Sequence, residues 1–395
     1  MKDMSKDIIL FSTADWDNPF WTNKQHMAVR LAGYGFRIFY VESLGLRKLT
    51  MTWRDIFRIM KRLKKGMDGF REVQKNIYVY SPLVLPIHGI SSIRRMNSGI
   101  LRAQIQRHLT RLHFREPIFW TYNPLTATLA GEFNEALLVY HCVDDLSASP
   151  GMPVGVITSA EEQLVRKADL VFTTNPNLQE TRSRWNPANT HYFPNVADFD
   201  HFSKARRPWP IPHDIENIPK PRIGFVGAIS DYKVDFELIS HIAEVRPDWH
   251  WVLIGQVGEG QIGTSIDSLL RPNIHLLGPK SYQVLPDYLR GFDVAVLPIQ
   301  KNNYTASMFP MKFFEYLASG RTVVATDLPA LREYADACII THTPEGFIQG
   351  IEDVLHGKIP DPKRCLELAQ QHTWEKRLDW MMELLVKTWE QKHGS

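Results

Sequence analysis

Two side chains three residues apart, Lys312 and Glu315, offer the clearest chemistry in this chain of 395 residues. They sit in the stretch Tyr304 to Thr326, Y-T-A-S-M-F-P-M-K-F-F-E-Y-L-A-S-G-R-T-V-V-A-T. In the first turn of a helix an ammonium group is unfavourable by about 0.3–1 kcal/mol, because the helix dipole is positive there. A bound anion reverses that sign: dipole, free N–H groups and Lys312 then attract it together. Glu315, one turn further in, is placed to accept hydrogen bonds from paired hydroxyls such as those of a ribose. Phosphate at Lys312 and ribose at Glu315 together describe a nucleotide. The same spacing also suits an i, i+3 ion pair on a solvated stripe.

The elements that must hold this pair are legible around it. Pro310 suits the first turn of a helix, Gly320 suits the left-handed residue just past its end, and T-V-V-A-T reads as a buried strand. Met311, Phe314 and Ala318 share an apolar face, and Lys312, Glu315 and Ser319 form the polar stripe. A helix apolar over most of its circumference is buried, so its few polar side chains need partners.

The run P-M-K-F-F-E-Y-L-A-S-G-R-T-V-V-A-T resembles the donor-site helix of GT-B glycosyltransferases, which use sugar nucleotides. The resemblance extends through G-F-V-G-A-I-S-D-Y-K-V-D-F-E-L-I (224–239), P-D-W-H-W-V-L-I-G (247–255), R-P-N-I-H-L-L-G-P-K-S-Y-Q-V-L-P-D-Y-L (271–289) and F-D-V-A-V-L-P-I (292–299). It is strong in the C-terminal half and patchier before it. The nearest likeness is to bacterial enzymes of surface and exopolysaccharide assembly, the xanthan glucuronosyltransferase and teichuronic-acid-type enzymes among them. The resemblance implies an α/β chain of two Rossmann-like, doubly wound domains facing a cleft. The donor residues it implies are Gly227, Lys233, Lys280, Tyr282, Ser307, Met311, Lys312 and Glu315. Gly224 and Gly227 read as a turn admitting backbone to phosphate, I-G-Q-V-G-E-G (254–260) as a second glycine loop, and Lys280 with Tyr282 as the loop that touches a uracil. Alone, Tyr282 also reads as a packed loop aromatic.

Glycosyl transfer also needs a base for the acceptor hydroxyl. Y-H-C-V-D-D-L-S resembles Y-R-A-S-D-G-L-S of the xanthan enzyme, whose catalytic aspartate falls on Asp144, with Asp15 and Asp145 in reserve. A structural carboxylate is the other reading of Asp144. Asp15-Trp16-Asp17 spells D-x-D, a metal–nucleotide motif of the other glycosyltransferase architecture; loop structure or acceptor contact accounts for it better, and no metal or other cofactor is expected. Many retaining relatives carry Glu where this chain has Ser307, and Arg where it has Ala228. Both departures weigh against retention and leave the stereochemistry open.

Composition sets the frame. Hydrophobic content of 44% and charged content of 23% belong to a globular protein, and the length suggests two domains. The apolar run opening the chain ends at Asp15 and reads as a strand, not a signal peptide; no run approaches a spanning helix. Cys142, Cys338 and Cys365 are too scattered for a metal or disulfide framework and read as cytosolic free thiols. Net charge is only +3, yet Arg47 to Arg115 holds 16 Lys or Arg against three acids. Within it Trp53, Ile56, Phe57, Met60 and Leu63 oppose Arg54, Arg58, Lys61, Arg62 and Lys65. This is a basic amphipathic helix of membrane-surface type, and Arg94 to Arg115 repeats the bias. A core helix with a solvated face is the alternative. Nucleic acid is not expected, since no recognition motif accompanies the charge.

The expected organisation is an acceptor-binding domain over 1–202, a proline-rich linker over 203–221, a nucleotide-sugar domain over 222–372, and a final helix over 373–395 returning to the first. The expected activity is transfer of a sugar from a UDP-sugar to a glycan or polyprenyl-linked acceptor, at the cytoplasmic face of the cell membrane. A sugar-nucleotide epimerase or a non-catalytic nucleotide-binding membrane adaptor stand as alternatives on the same scaffold.

Overall fold

The computed structural model describes residues 4–18, 21–44, 69–82, 91–258 and 263–394, with backbone alone for 91–94. The chain divides into two compact units. One comprises Met1–Phe193 with Leu378–Ser395, the other Pro194–Arg377.

The first unit is built on an eight-stranded sheet of order β3-β4-β2-β1-β5-β6-β7-β8. Its strands are β1 (Asp7–Phe11), β2 (Arg37–Val41), β3 (Phe70–Gln74), β4 (Ile77–Tyr80), β5 (Ile118–Thr121), β6 (Leu137–Cys142), β7 (Leu170–Thr173) and β8 (Thr190–Tyr192). Every neighbouring pair is parallel except β3 with β4. Strands such as D-I-I-L-F and L-L-V-Y-H-C are buried along their whole length, as parallel strands covered on both faces must be. Asn76, at φ 67°, turns the β3–β4 hairpin. The final helix, Trp374–His393, is fastened within this unit where Lys392 pairs with Asp169 at 2.7 Å and Tyr34 donates its hydroxyl to Asp379.

The second unit has six parallel strands, β9 (Arg222–Val226), β10 (His250–Ile254), β11 (Ile274–Gly278), β12 (Val294–Leu297), β13 (Val323–Thr326) and β14 (Ile339–Thr341), in the order β11-β10-β9-β12-β13-β14. The order reverses between β9 and β12. In sheets of this kind ligands bind at the carboxyl ends of the strands flanking such a reversal.

The proline-rich stretch does not act as a bare connector. Ser203–Arg206 and His213–Glu216 form short helical turns, and Ala205, Ile215 and Ile218 are buried in the second unit's core. Apolar side chains between the prolines draw the segment onto the domain. The compact units accordingly part at Phe193, not after residue 202. Gly224 also needs a different reason from the one its motif suggested. It lies inside β9, where a Cβ would come 2.1 Å from the ring of Phe292, so it is glycine for packing.

Candidate donor and acceptor sites

The helix carrying the central pair spans Lys312–Ala318. Pro310 stands just ahead of it and not in its first turn; Met311 is the N-cap, without a side-chain cap. Asn195 donates from Nδ2 to the carbonyl of Phe309 at 2.8 Å and fixes the entry. At the other end Gly320, at φ 75°, donates to Leu317 and Arg321 donates to Tyr316, which is the Schellman pattern. Inside the helix Phe313, Phe314 and Tyr316 are buried, and the Tyr316 hydroxyl accepts from the amide of Val226 at the end of β9 at 2.8 Å. Sheet and helix are thereby joined at the carboxyl end of β9.

Lys312 Nζ donates to Glu315 Oε2 at 2.7 Å, with the Lys312 side chain 24% exposed and that of Glu315 5% exposed. Burial raises the Glu315 carboxyl above its ordinary range, the charge of Lys312 opposes that rise, and Asp198 adds to it. The pair therefore combines a partly exposed cation with a nearly buried carboxylate. Lys312 Nζ also stands 6.0 Å over the ring of Phe202, and Tyr282 meets Phe202 edge-on at 5.5 Å. Tyr282 stacks on His201 at 4.6 Å and 12°, while His201 Nε2 lies 2.9 Å from the Tyr282 carbonyl. Asp198, His201 and Phe202 were not singled out from the sequence, since only folding brings D-F-D-H-F to a helix more than a hundred residues on.

Of the other residues expected on the donor side, Gly227 and Lys233 follow β9, Ser307 and Met311 follow β12, and Lys280 and Tyr282 follow the edge strand β11. Gly227 follows β9 and donates to Ile254 at 2.9 Å; a Cβ on Gly255 would lie 1.7 Å from the Gly227 carbonyl, and one on Gly227 2.8 Å from the ring of Phe225, so neither position has room for a side chain. Lys233 follows in the next turn, its Nζ over the rings of Tyr232 and Tyr304 at 5.3 and 5.6 Å. Gln300 donates to the Lys233 carbonyl at 2.9 Å, and Asn302 donates from Nδ2 to the Tyr232 carbonyl at 2.7 Å. The segment after β12 is thus sewn to the segment after β9, and it carries Ser307, the C-cap of the turn Asn303–Ala306, and then Met311. Lys280 pairs with Asp214 at 2.7 Å, and the Tyr288 hydroxyl donates to the same carboxylate at 2.9 Å. Its side chain thereby ties the loop after β11 to the segment His213–Glu216.

In the first unit Asp144 and Asp145 follow β6 directly. Asp145 caps the turn Leu146–Ala148, accepting from the Ser147 amide at 3.0 Å and its hydroxyl at 2.6 Å. That structural duty makes it a poor reserve for a base. Asp144 is half-buried beside it. In the loop after β1 the Asp15 carbonyl accepts from Gln25 at 3.0 Å, and Asp17 pairs with Arg71 at 2.7 Å. The second carboxylate of the D-x-D is thus occupied by a guanidinium. Among the described residues no cluster of three or more His, Cys, Asp or Glu is placed to hold a metal ion. Trp53, Arg54, Phe57, Arg58, Lys61, Arg62 and Lys65 lie outside the described residues.

A cavity of ≈630 Å³ also opens in the first unit. Leu44, Leu101, Leu125 and Leu129 line it, with Gly155 and Ala160 on one wall and Arg95 among its polar groups.

Residues 220–357 match the family model Glycosyl transferases group 1. That stretch of the second unit is thus similar to a group 1 glycosyltransferase domain. The matched range holds Gly227, Lys233, Lys280, Tyr282, Ser307, Met311, Lys312 and Glu315. A protein of Bacillus subtilis (strain 168) assigned to teichuronic acid biosynthesis as the glycosyltransferase TuaH is 29% identical over 209 residues, 51% of this chain and 52% of that protein. The match thus spans about half of each. Among solved structures, sucrose-phosphate synthase from Thermosynechococcus elongatus superposes with a TM-score of 0.71 at 16% identity, covering 96% of this chain and 98% of that one. HepE of Anabaena, in complex with UDP and glucose, gives 0.64 at 15% identity, covering 97% and 100%. The fold is the one these GT-B glycosyltransferases share.

Proposed function

We propose that this protein is a glycosyltransferase moving a sugar from a UDP-sugar to a hydroxyl of a glycan or lipid-linked glycan acceptor. The observation that carries this reading is the Lys312–Glu315 pair beside the strand reversal of a group 1 glycosyltransferase domain. Bound UDP in the structural relative from Anabaena supports the choice of nucleotide.

In this reading Glu315 accepts from the ribose hydroxyls, and Lys312 leaves Glu315 for the diphosphate. Gly227 brings bare backbone to the phosphates, while Lys233, Ser307 and Met311 line the donor's approach. Transfer breaks the bond between the anomeric carbon and the diphosphate oxygen, and the electron pair leaves with UDP. Lys312 and the amides at the carboxyl end of β9 stabilise the charge that develops there, the largest single contribution expected in such a site. The acceptor hydroxyl gives its proton to Asp144 as its oxygen bonds the anomeric carbon. Asp15 is the second candidate for that proton. This chemistry asks for no metal. With UDP at a hundred times its dissociation constant, binding to the folded chain stabilises it by about 2.7 kcal/mol. A thermal-shift screen over nucleotide sugars therefore shows a rise in melting temperature with UDP-sugars. No rise with any nucleotide contradicts the reading.

A membrane-bound acceptor accords with the first unit. Its helix Ser91–Leu112 exposes Met96 (46%) and Ile100 (41%) beside Arg95, Arg107 and Arg111. The cavity's four leucines suit a hydrocarbon chain, with Arg95, Asn97, Ser98, Thr128, Ser159 and Gln163 as the polar part of its lining. Each cation near an anionic leaflet contributes roughly 1 kcal/mol, screened by salt. The protein is thus expected to co-sediment with vesicles containing phosphatidylglycerol at low salt and to be released as salt rises. Absence of low-salt binding removes the peripheral placement.

A further inference from the structure

Glu161 and Arg182 are buried in the first unit, 3% and 5% exposed, and the chemistry above leaves them without a role. Glu161 shares a helix face with Ile157, Leu164 and Val165, where a carboxylate needs a reason. Arg182 supplies it, donating from Nε at 3.0 Å and from Nη2 at 2.9 and 2.8 Å. The Tyr140 hydroxyl donates to the same carboxylate at 2.7 Å, and Cys142 Sγ lies 3.4 Å from it. Burial pushes the Tyr140 hydroxyl and the Cys142 thiol far up, so both keep their protons and act as donors.

From this buried pair, contacts run to the residues that leave β6. Cys142 Sγ lies 3.7 Å from the Asp144 carbonyl. Arg182 Nη2 stands 3.7 Å from Asp145 Oδ1, the oxygen that also accepts from Ser147. Thr174 Oγ1 holds the Val143 carbonyl at 2.9 Å. Val143, Asp144 and Asp145 are each anchored from beneath. Stability alone does not call for such a pair, since apolar residues of similar volume commonly replace a buried ion pair at little cost. Its position under one loop is the informative feature.

We propose that Arg182 is a positioning residue that, with Glu161, fixes the β6 loop and thereby aims the carboxylate of Asp144 at the acceptor hydroxyl. This rests on the reading of Asp144 as the base. Misplacing a reacting group by about 1 Å costs roughly a hundredfold in rate. The test uses the full chain and the variant Glu161→Leu/Arg182→Met, which removes the network without leaving a lone buried charge; Arg182→Lys, which keeps the charge and loses the fork, serves if the pair does not fold. Expected is a kcat lower by roughly 10–100-fold with the donor KM unchanged. Combined with Asp145→Ala, the losses should fall well short of multiplying, because both changes release the same loop. A folded variant with unchanged kcat, or losses that multiply fully, overturns the proposal. Asp144→Asn in parallel separates the two ideas. If it is inactive while the network variants are normal, only the positioning role fails. If it is active, the base assignment fails and the positioning role with it.

Discussion

Asp144→Asn lowers transfer by roughly 10²–10⁴-fold, the usual contribution of a general base, and leaves UDP affinity unchanged. The amide keeps the shape and hydrogen-bonding capacity of the carboxylate but cannot take the acceptor proton. Donor affinity is expected to persist because the donor residues belong to the other compact unit, Pro194–Arg377. Asp145 is not expected to rescue the variant, since its carboxylate caps the turn Leu146–Ala148 through Ser147. Steady-state kinetics with a UDP-sugar and isothermal titration with UDP read the two effects apart. Full turnover moves the base to Asp15, and lost UDP binding removes Asp144 from the role.

Lys312→Ala should weaken UDP binding by roughly 10–100-fold, the worth of one charge-assisted contact to a phosphate. The same change costs stability, because Glu315 keeps its burial and loses its cation. With the lysine a quarter exposed, about 1–3 kcal/mol is expected, below the range for fully buried pairs. The pH dependence has a definite sign. Burial already raises the folded pKa of Glu315, and loss of Lys312 raises it further. Below the unfolded pKa both states hold the proton and the penalty is absent; it grows as pH rises toward the folded pKa and is complete above it. Denaturant midpoints near pH 4 and pH 8 should therefore differ more in the variant than in the parent. Equal midpoint differences, with UDP affinity unchanged, contradict the assignment of this pair.

The central stretch was legible because local signals there agree with the fold. The left-handed glycine at 320, the β-branched T-V-V-A-T and the apolar face of Phe314 and Ala318 each depend on near neighbours only. Where the reading missed, the reason lay in distant contacts. Gly224 accommodates Phe292, a residue far along the chain. His201 and Phe202 reach Tyr282 and Lys312 from still further away. The hairpin F-R-E-V-Q-K-N-I-Y-V-Y was overlooked, although Lys75-Asn76 marks its turn. The proline-rich segment misled for another reason: proline blocks long helices but not single turns, and Ala205, Ile215 and Ile218 gave it a reason to pack. The carboxylate of Glu161 on an apolar helix face was the one available sign of the buried network.

The most direct measurement is a crystal structure of the full chain with UDP. The amine of Lys312 should have left Glu315 for a diphosphate oxygen, with the ribose hydroxyls donating to Glu315 and the uracil beside Tyr282. A structure in which the nucleotide lies elsewhere, and the 2.7 Å pair between Lys312 and Glu315 is still closed, contradicts the account at its root.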